Sequence, residues 1–170
     1  KGMIEALPSS QGLFALRRIE VPEPLDDFFF DPPYRNLVGS AREGEAVVIN
    51  LTVGRDIKQL TLPGLPHLGS GISWNWNGRP VMATPHLKEG RISVLDMQDW
   101  SLVKVIDTPG PGFFMRSHEN SRYAWVDSMM SPTAKDTLTV IDKQTLEVVA
   151  QIREPGRTLA HIEFTKDGRY

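Results

Sequence analysis

The sequence predicts an all-β fold of the β-propeller type, and three features of the chain lead to that prediction. Thirteen prolines and fourteen glycines are scattered through the 170 residues, which leaves little room for long helices. A unit made of a strand, an Asx residue and a second strand recurs at a constant spacing. Hairpin-turn signals join further pairs of short strands ahead of each unit. We expect about three and a half four-stranded blades from this pattern.

The repeated unit is centred on Asn50, Asp96 and Asp142, and the two spacings, 96−50 and 142−96, are both 46 residues. Each of these residues ends an apolar run that is rich in β-branched side chains. An Asx side chain suits a tight turn at this point because it can hydrogen-bond the backbone two residues on. Alternating strands are predicted after the three turns, at 57–62, 102–106 and 146–152.

Strand pairs are predicted ahead of the Asx units, at 71–76 with 80–84, at 113–117 with 122–127, and at 161–165 before a turn at 167–170. A further strand is predicted at 13–21. Because a single four-stranded blade cannot bury both of its faces, it must stack on neighbouring blades. We therefore expect residues 1–170 to be one partial propeller domain, a fragment of a longer polypeptide. The alternative is a complete open β-sandwich, whose edge strands would be unprotected.

Composition excludes several classes of function. The hydrophobic fraction of 40% and the mean hydropathy of −0.26 are those of a globular domain with a core. A net charge of −2 with no basic run argues against nucleic acid as a partner. No apolar run approaches the ~18 residues of a membrane span, and if the protein is exported its signal lies outside this sequence. The absence of cysteine excludes disulfides and the covalent attachment of a c-type heme within this segment.

The four histidines lie in or just after predicted innermost-strand regions, which surround the central channel of a propeller. They are His67, His86, His118 and His161. For any one of them, a hydrogen-bonded structural histidine is the alternative. Gly69 and Gly71 beside His67 would let the backbone approach a planar ligand closely, whereas a simple connection between blades needs no such approach.

A pocket for a small anion is predicted from His86, His118 and Arg116. Arg116 shares a strand face with His118 and Phe114 by alternation, and two histidines with an arginine at one channel mouth would attract anions and donate protons. No metal site is expected, because the histidine spacings do not fit zinc and cysteine is absent. Motifs of hydrolases, P-loop NTPases and dinucleotide-binding enzymes are also missing. Tryptophans are expected mostly to fill the core between blades.

Several strings in the sequence resemble the d1-heme propeller of cytochrome cd1 nitrite reductases. The resemblance runs from about residue 27 to residue 165 and is carried by strings at 66–71, 78–87, 110–118 and 123–127, which read PHLGSG, GRPVMATPHL, GPGFFMRSH and YAWVD. Each string is weak alone. Their order over successive blades makes them moderately specific together.

This resemblance implies an eight-bladed propeller that holds d1 heme and reduces nitrite to nitric oxide. His86 and His118 match the distal pair that protonates iron-bound nitrite. The residues expected to contact the cofactor are His67, Arg116, Phe114, Gly69 and Gly71. The proximal iron ligand is expected outside this segment. A heme-dependent oxidoreductase of this kind would be periplasmic, with an electron-donor cytochrome as partner and a homodimeric assembly.

Two departures from the reductase pattern support a second interpretation. Leu68 and Glu119 stand where the reductases tend to have proline, and the loop between His86 and His118 is shorter. The chain is therefore also similar to paralogues of d1-heme biosynthesis, which bind the tetrapyrrole and oxidise or deliver dihydro-d1 heme. A propeller that serves as a non-catalytic interaction platform is the third hypothesis.

Overall fold

The computed structural model describes residues 2–6, 16–42 and 45–170, which form fourteen β-strands in four antiparallel sheets. In these ranges the helical structure is a single 3₁₀ turn at Leu68–Ser70, and no helix is long or apolar enough to cross a membrane. The strands are β1 Gly2–Ala6, β2 Arg17–Val21, β3 Asp27–Phe30, β4 Asn36–Ser40, β5 Glu45–Asn50, β6 Arg55–Thr61, β7 Ile72–Trp76, β8 Arg79–Pro85, β9 Arg91–Asp96, β10 Leu102–Asp107, β11 Met115–Ser117, β12 Tyr123–Asp127, β13 Thr137–Asp142 and β14 Glu147–Arg153.

Three of the sheets are four-stranded meanders in chain order, and we call them blade one (β3 to β6), blade two (β7 to β10) and blade three (β11 to β14). Strands β1 and β2 pair with each other in a fourth sheet. The two middle strands of each blade are largely buried, whereas the last strands β6 and β14 are almost wholly exposed. This gradient from a buried interior to an exposed outer strand is the arrangement of a propeller blade.

Both faces of the central blade are buried, which a two-sheet sandwich would not require. Val81 and Met82 are consecutive in β8, point to opposite faces, and are both 0% exposed. Val81 packs with Met115 and Val126 of blade three, and Met82 packs with Val38 of blade one. The blades therefore stabilise one another by stacking, so the predicted propeller is confirmed over the open sandwich.

The predicted Asx turns are confirmed at the ends of β5, β9 and β13. Asn50 Oδ1 accepts the N–H groups of residues 52 and 53, both at 3.0 Å. Asp96 Oδ1 accepts the N–H of Gln98 at 2.7 Å, and Asp142 Oδ1 accepts that of Gln144 at 2.8 Å. The 46-residue period is therefore the recurrence of one hydrogen-bonded corner.

Two predicted strands differ from the structure. Segment 161–165 is irregular, because the turn after it forms with only one ladder bond, from the Thr165 N–H to the Tyr170 carbonyl at 2.7 Å. The strand predicted at 113–117 begins at Met115, since the N–H groups of Phe113 and Phe114 donate to a side chain instead of a neighbouring strand. Of the strand predicted at 13–21, residues 13–15 lie outside the described residues, and 17–21 is β2.

The antiparallel meander gives each blade two distinct ends. We call the end that carries the connections 62–71, 86–90, 108–114 and 128–136 the loop end. The opposite end, which we call the turn end, carries the short turns 31–35, 51–54, 77–78, 97–101, 118–122 and 143–146. A residue after the first strand of a blade therefore lies at the turn end, and a residue after the second strand lies at the loop end.

Candidate functional site

Four aromatic rings from neighbouring connections lie in a row at the loop end, and we call them the ring row. The centroid of the His67 ring is 4.1 Å from that of Phe113, Phe113 is 4.8 Å from Phe114, and Phe114 is 3.9 Å from His161. His67 and the phenylalanines precede first strands of blades, and His161 follows blade three. The first strands surround the channel of a propeller, so the row faces the usual place of a ligand.

The buried carboxylate of Asp127 holds the phenylalanines of the ring row in place. Asp127 ends β12 and is 0% exposed. It accepts hydrogen bonds from the N–H of Phe113 at 2.8 Å, of Phe114 at 3.1 Å and of Met129 at 3.3 Å. Burial raises the pKa of Asp127, and these backbone donors act in the opposite direction by stabilising the charged carboxylate.

His67 has a polar neighbour at each of its ring nitrogens. Its Nδ1 lies 2.6 Å from the Phe113 carbonyl, and its Nε2 lies 3.9 Å from Asp27 Oδ2. A carbonyl oxygen only accepts hydrogen bonds, so Nδ1 carries the hydrogen and Nε2 is the free nitrogen of the neutral ring. Asp27 also accepts the N–H of Gly69 at 3.0 Å. One carboxylate thus fixes the loop and faces the free ring nitrogen.

A cavity of about 280 Å³ opens beside His67 between blades one and two. Both signs of charge line it, since Arg42 lies 3.8 Å from Asp26 in an exposed ion pair. The lining residues include Asp26, Asp27, Arg42, His67, Leu87 and Phe113.

Gly69 and Gly71, which the sequence assigns to ligand contact, are sites of close packing within the chain. A Cβ on Gly69 would lie 2.9 Å from Asp27 Oδ1, and a Cβ on Gly71 would lie 2.8 Å from the Leu68 carbonyl oxygen. A larger residue would therefore push the His67 loop away from Asp27. Contact of these glycines with a cofactor stays a prediction.

His86 lies at the loop end but inside the protein. It is 0% exposed, its Nε2 is 2.9 Å from Ser93 Oγ, and its backbone pairs with Pro66 behind the His67 loop. Burial lowers the pKa of His86, because water no longer stabilises the charged imidazole. The ring is therefore neutral and supports the loop from beneath.

His118 lies at the turn end, where both of its ring nitrogens have partners. Nδ1 accepts the N–H of Asn120 at 3.1 Å, and Nε2 lies 3.2 Å from the Lys166 carbonyl. The His118 carbonyl accepts a hydrogen bond from Lys143 Nζ at 3.0 Å. These bonds fasten the turn after β11 to the turn at 166–169.

The structure therefore does not bring His86, His118 and Arg116 to one channel mouth, and this expectation is corrected. His86 follows the second strand of blade two, whereas His118 follows the first strand of blade three, and these strands run in opposite directions. Arg116 lies in the middle of β11 opposite Trp125, and its Nη1 donates to the Met115 carbonyl at 3.1 Å. Of the predicted site residues, His67 and Phe114 meet in the ring row.

Sequence reasoning missed the roles of Phe113, Asp27 and Asp127. Two adjacent aromatic residues ahead of β11 were a usable signal, because successive residues of a strand point to opposite faces and cannot both belong to one face of the blade. Asp127 was also visible as an acidic residue that ends a buried run at the loop end. Which backbone amides it would hold depends on the course of the 108–114 connection, which the sequence pattern does not define.

A second cavity, of about 620 Å³, lies at the turn end between blades two and three. Trp74 Nε1–H donates to the Lys143 carbonyl at 3.0 Å, and Trp76 Nε1–H donates to the Gln144 carbonyl at 2.8 Å. Both rings pack against the core that the two blades share, as expected for tryptophans between blades. Burial lowers the pKa of Lys143 beside them. Across the part of the chain that the structure describes, no group of three or more His, Asp or Glu side chains is arranged to hold a metal ion.

Comparisons with known proteins show the family to which this chain is similar. The family model of the cytochrome D1 heme domain matches residues 9–170. The chain is 48% identical over 167 residues to the dihydro-heme d1 dehydrogenase of Pseudomonas aeruginosa, covering 96% of this chain and 34% of that protein. It is 30% identical over 115 residues to Protein NirF of Stutzerimonas stutzeri, covering 68% of this chain and 28% of the relative. The chain thus spans about a third of the length of these relatives.

Solved structures give the same result for the fold. The structure of the dihydro-heme d1 dehydrogenase NirN in complex with DHE has a TM-score of 0.93 and 47% identity, over 99% of this chain and 36% of that one. The Cps50 (Swd1) β-propeller domain of Myceliophteria thermophila has a TM-score of 0.64 and 12% identity, over 92% of this chain and 50% of that one. The second likeness is one of fold alone, and it confirms the β-propeller.

Proposed function

Since the chain belongs to the cytochrome D1 heme domain family, we propose that it is part of a d1-type heme-binding propeller whose full-length protein oxidises or delivers dihydro-d1 heme. The 48% identity to a dihydro-heme d1 dehydrogenase over 96% of the chain carries this proposal. Nitrite reduction, which the sequence resemblance placed first, has family-level support only. The biosynthetic interpretation has the stronger support.

The residues of the loop end fit a d1-type tetrapyrrole. Phe113 and Phe114 are half-buried and present aromatic faces of the kind that stack on a large planar ring. Arg42 lines the same cavity as Phe113 and has the charge that a carboxylate arm of a tetrapyrrole needs. When bound, the tetrapyrrole supplies the oxidisable side chain and a redox-active iron.

His67 is the group of this segment best placed to move a proton. Oxidation of a dihydro precursor releases two electrons and two protons, and Nε2 of His67 is the free nitrogen beside the cavity. The carboxylate oxygen Oδ2 of Asp27 lies 3.9 Å from this nitrogen. We assign His67 the acceptance of one proton; the second passes to water, and an electron acceptor such as a cytochrome takes the two electrons.

The other site residues have supporting roles in this proposal. Phe114 orients the tetrapyrrole and excludes water, while Gly69 and Gly71 keep the His67 loop close to Asp27. His86 supports that loop from beneath, and His118 fastens the opposite end of the blades. We further propose that residues 1–170 are one partial propeller domain of a periplasmic and homodimeric protein.

The test is the conversion of dihydro-d1 heme by the full-length protein without oxygen or nitrite, with a two-electron acceptor present. The proposal predicts that the visible spectrum changes from that of the precursor to that of d1 heme. A parallel assay supplies d1 heme, a reductant and nitrite. Production of nitric oxide with no change in the precursor would favour the nitrite reductase instead, and failure to bind either tetrapyrrole would favour an interaction platform.

A further inference from the structure

One planar peptide group at the loop end connects Asp127 to His67. The carbonyl of Phe113 and the N–H of Phe114 belong to the same peptide bond, whose atoms are coplanar with the two groups pointing in opposite directions. The N–H donates to Asp127 at 3.1 Å, and the carbonyl accepts from His67 Nδ1 at 2.6 Å. Asp127 and His67 therefore hold opposite sides of one rigid unit.

We propose that Asp127 is a positioning residue that fixes which nitrogen of His67 faces the tetrapyrrole. Because the peptide is pinned by Asp127, its carbonyl stays directed at Nδ1, and Nδ1 keeps its hydrogen. Nε2 is then the nitrogen that exchanges a proton at the cavity. The consequence for turnover rests on the function proposed above, whereas the effect on the His67 ring does not.

The burial of Asp127 shows how firmly the peptide is held. A carboxylate with no exposed surface is costly unless hydrogen bonds replace its water, and three backbone amides do so here. The N–H of Phe113 also donates to Asp127, so the peptides on both sides of Phe113 are held by one side chain. Rotation of the Phe113 carbonyl away from His67 would leave the carboxylate with too few donors.

Other charged groups beside His67 do not determine its tautomer in this way. Asp27 faces Nε2 at 3.9 Å, which is beyond hydrogen-bond distance. Asp26 and Arg42 line the same cavity and are partly compensated by their own ion pair. The contact with a neutral carbonyl at 2.6 Å is therefore the one that selects the protonated nitrogen.

The experiment compares the full-length protein with its Asp127→Asn variant after ¹⁵N labelling of histidine, without heme. An asparagine side chain of the same shape places an NH₂ group where one carboxylate oxygen accepted a bond, so the peptide is released. The ¹⁵N shifts of His67 should report one Nδ1–H tautomer in the wild type and a mixture in the variant. An unchanged tautomer would overturn the proposal.

Asp31→Asn is the matched control. Asp31 is also buried and accepts N–H groups, from Arg35 at 2.7 Å and Asn36 at 2.9 Å, but it lies at the turn end. The Asp31→Asn substitution should lower the free energy of unfolding without changing the His67 tautomer. If Asp127→Asn does not fold, Asp127→Ser, which keeps a smaller acceptor without charge, provides the same comparison.

A kinetic arm tests whether Asp127 acts through His67. Asp127→Asn should slow precursor oxidation by about tenfold and shift its pH profile, because the proton-accepting nitrogen is no longer fixed. In a His67→Gln background the same substitution should have no further effect, and a full additional loss would contradict the proposal. If the wild type does not oxidise the precursor, the proposed function fails, and the NMR comparison still decides the role of Asp127.

Discussion

Three buried acidic side chains, two at the turn end and one at the loop end, have different kinds of partner. At the turn end, Asp96 and Asp142 form ion pairs with Arg79 and Arg122 and accept N–H groups of their own turns. At the loop end, Asp127 accepts amide N–H groups of the 108–114 connection. The Phe113 carbonyl of that connection accepts a hydrogen bond from His67 in the 62–71 connection. The partners of Asp96 and Asp142 lie within their own blades, whereas Asp127 is linked through Phe113 to His67, which lies in the connection between blades one and two.

This difference separates residues that stabilise the blade from residues that we propose to form the site. A corner that repeats at the same place in every blade cannot distinguish one blade from the next, so its function is folding. The contacts around Phe113 do not recur among the described blades in the same form. We therefore expect substitutions at the turn end to change stability and substitutions at the loop end to change turnover.

The largest effect is expected for histidine substitutions at the two ends. His67→Ala should lower the oxidation rate of dihydro-d1 heme by about a hundredfold, the usual contribution of a positioned acid or base. His118→Ala should leave that rate unchanged and lower the free energy of unfolding by about 1 kcal/mol, the value of a lost hydrogen bond. Turnover assays and urea unfolding of the full-length variants measure both. Loss of turnover in a fully stable His118→Ala protein would restore His118 as a proton donor.

The second-largest effect is expected for a substitution in a buried corner of the turn end. Asp96→Ala removes the acceptor for the Gln98 N–H and the partner of Arg79, which remains half-exposed and can be solvated. We expect the free energy of unfolding to fall by about 2 kcal/mol, with turnover of the folded fraction unchanged. Asp99→Ala, in the exposed part of the same turn, is the control and should leave the urea midpoint nearly unchanged. A loss of turnover without a loss of stability would contradict the division between the ends.

A smaller effect is expected from pH. As the pH falls, the loss of stability should arise first at the loop end, where His86 is buried. Because burial lowers the pKa of His86 in the folded state, the unfolded chain binds more protons below the ordinary value of about 6.5. The free energy of unfolding should therefore decrease by at most about 1.4 kcal/mol between pH 7.5 and 5.5. Urea unfolding at both pH values measures this, and His86→Gln should lack that part of the change.

Lowering the pH over the same interval should not destabilise the turn end. The hydrogen bond from Arg122 lowers the pKa of Asp142, so its carboxylate remains charged. Hydrogen exchange, corrected for the intrinsic pH effect, should increase first around 62–71 and 85–91. Faster exchange at 140–146 would show that the ends do not differ in this way.

Much of the fold could be predicted from the sequence because it depends on local patterns. The spacing of Asn50, Asp96 and Asp142, together with Asn77-Gly78, indicated strands and corners that the structure contains. The strand at 161–165 was wrong because a strand needs a paired neighbour, whatever its own composition. The first residues of β11 were wrong for a related reason, since the side chain of Asp127 replaces a neighbouring strand there.

Less of the site could be predicted, because it depends on which end of a blade each residue reaches. His67 was recognised from the glycines beside it and Phe114 from its strand face, and the structure brings both into the ring row. His86 and His118 were grouped by residue type and resemblance, although strands β8 and β11, which run in opposite directions in neighbouring blades, carry them to opposite ends. The link from Asp127 to His67 is a long-range contact through the backbone, and no pattern of side chains in the sequence indicates it.

The most direct test of the central claim is a titration of the full-length protein with d1 heme, followed by visible absorption, for one variant at each end. Phe114→Ala removes a ring of the ring row, and Trp76→Ala removes a ring of similar burial at the turn-end cavity. We predict that affinity falls by about tenfold in Phe114→Ala, because stacking area is lost, and stays unchanged in Trp76→Ala. The opposite result would place the tetrapyrrole at the turn end and contradict the account.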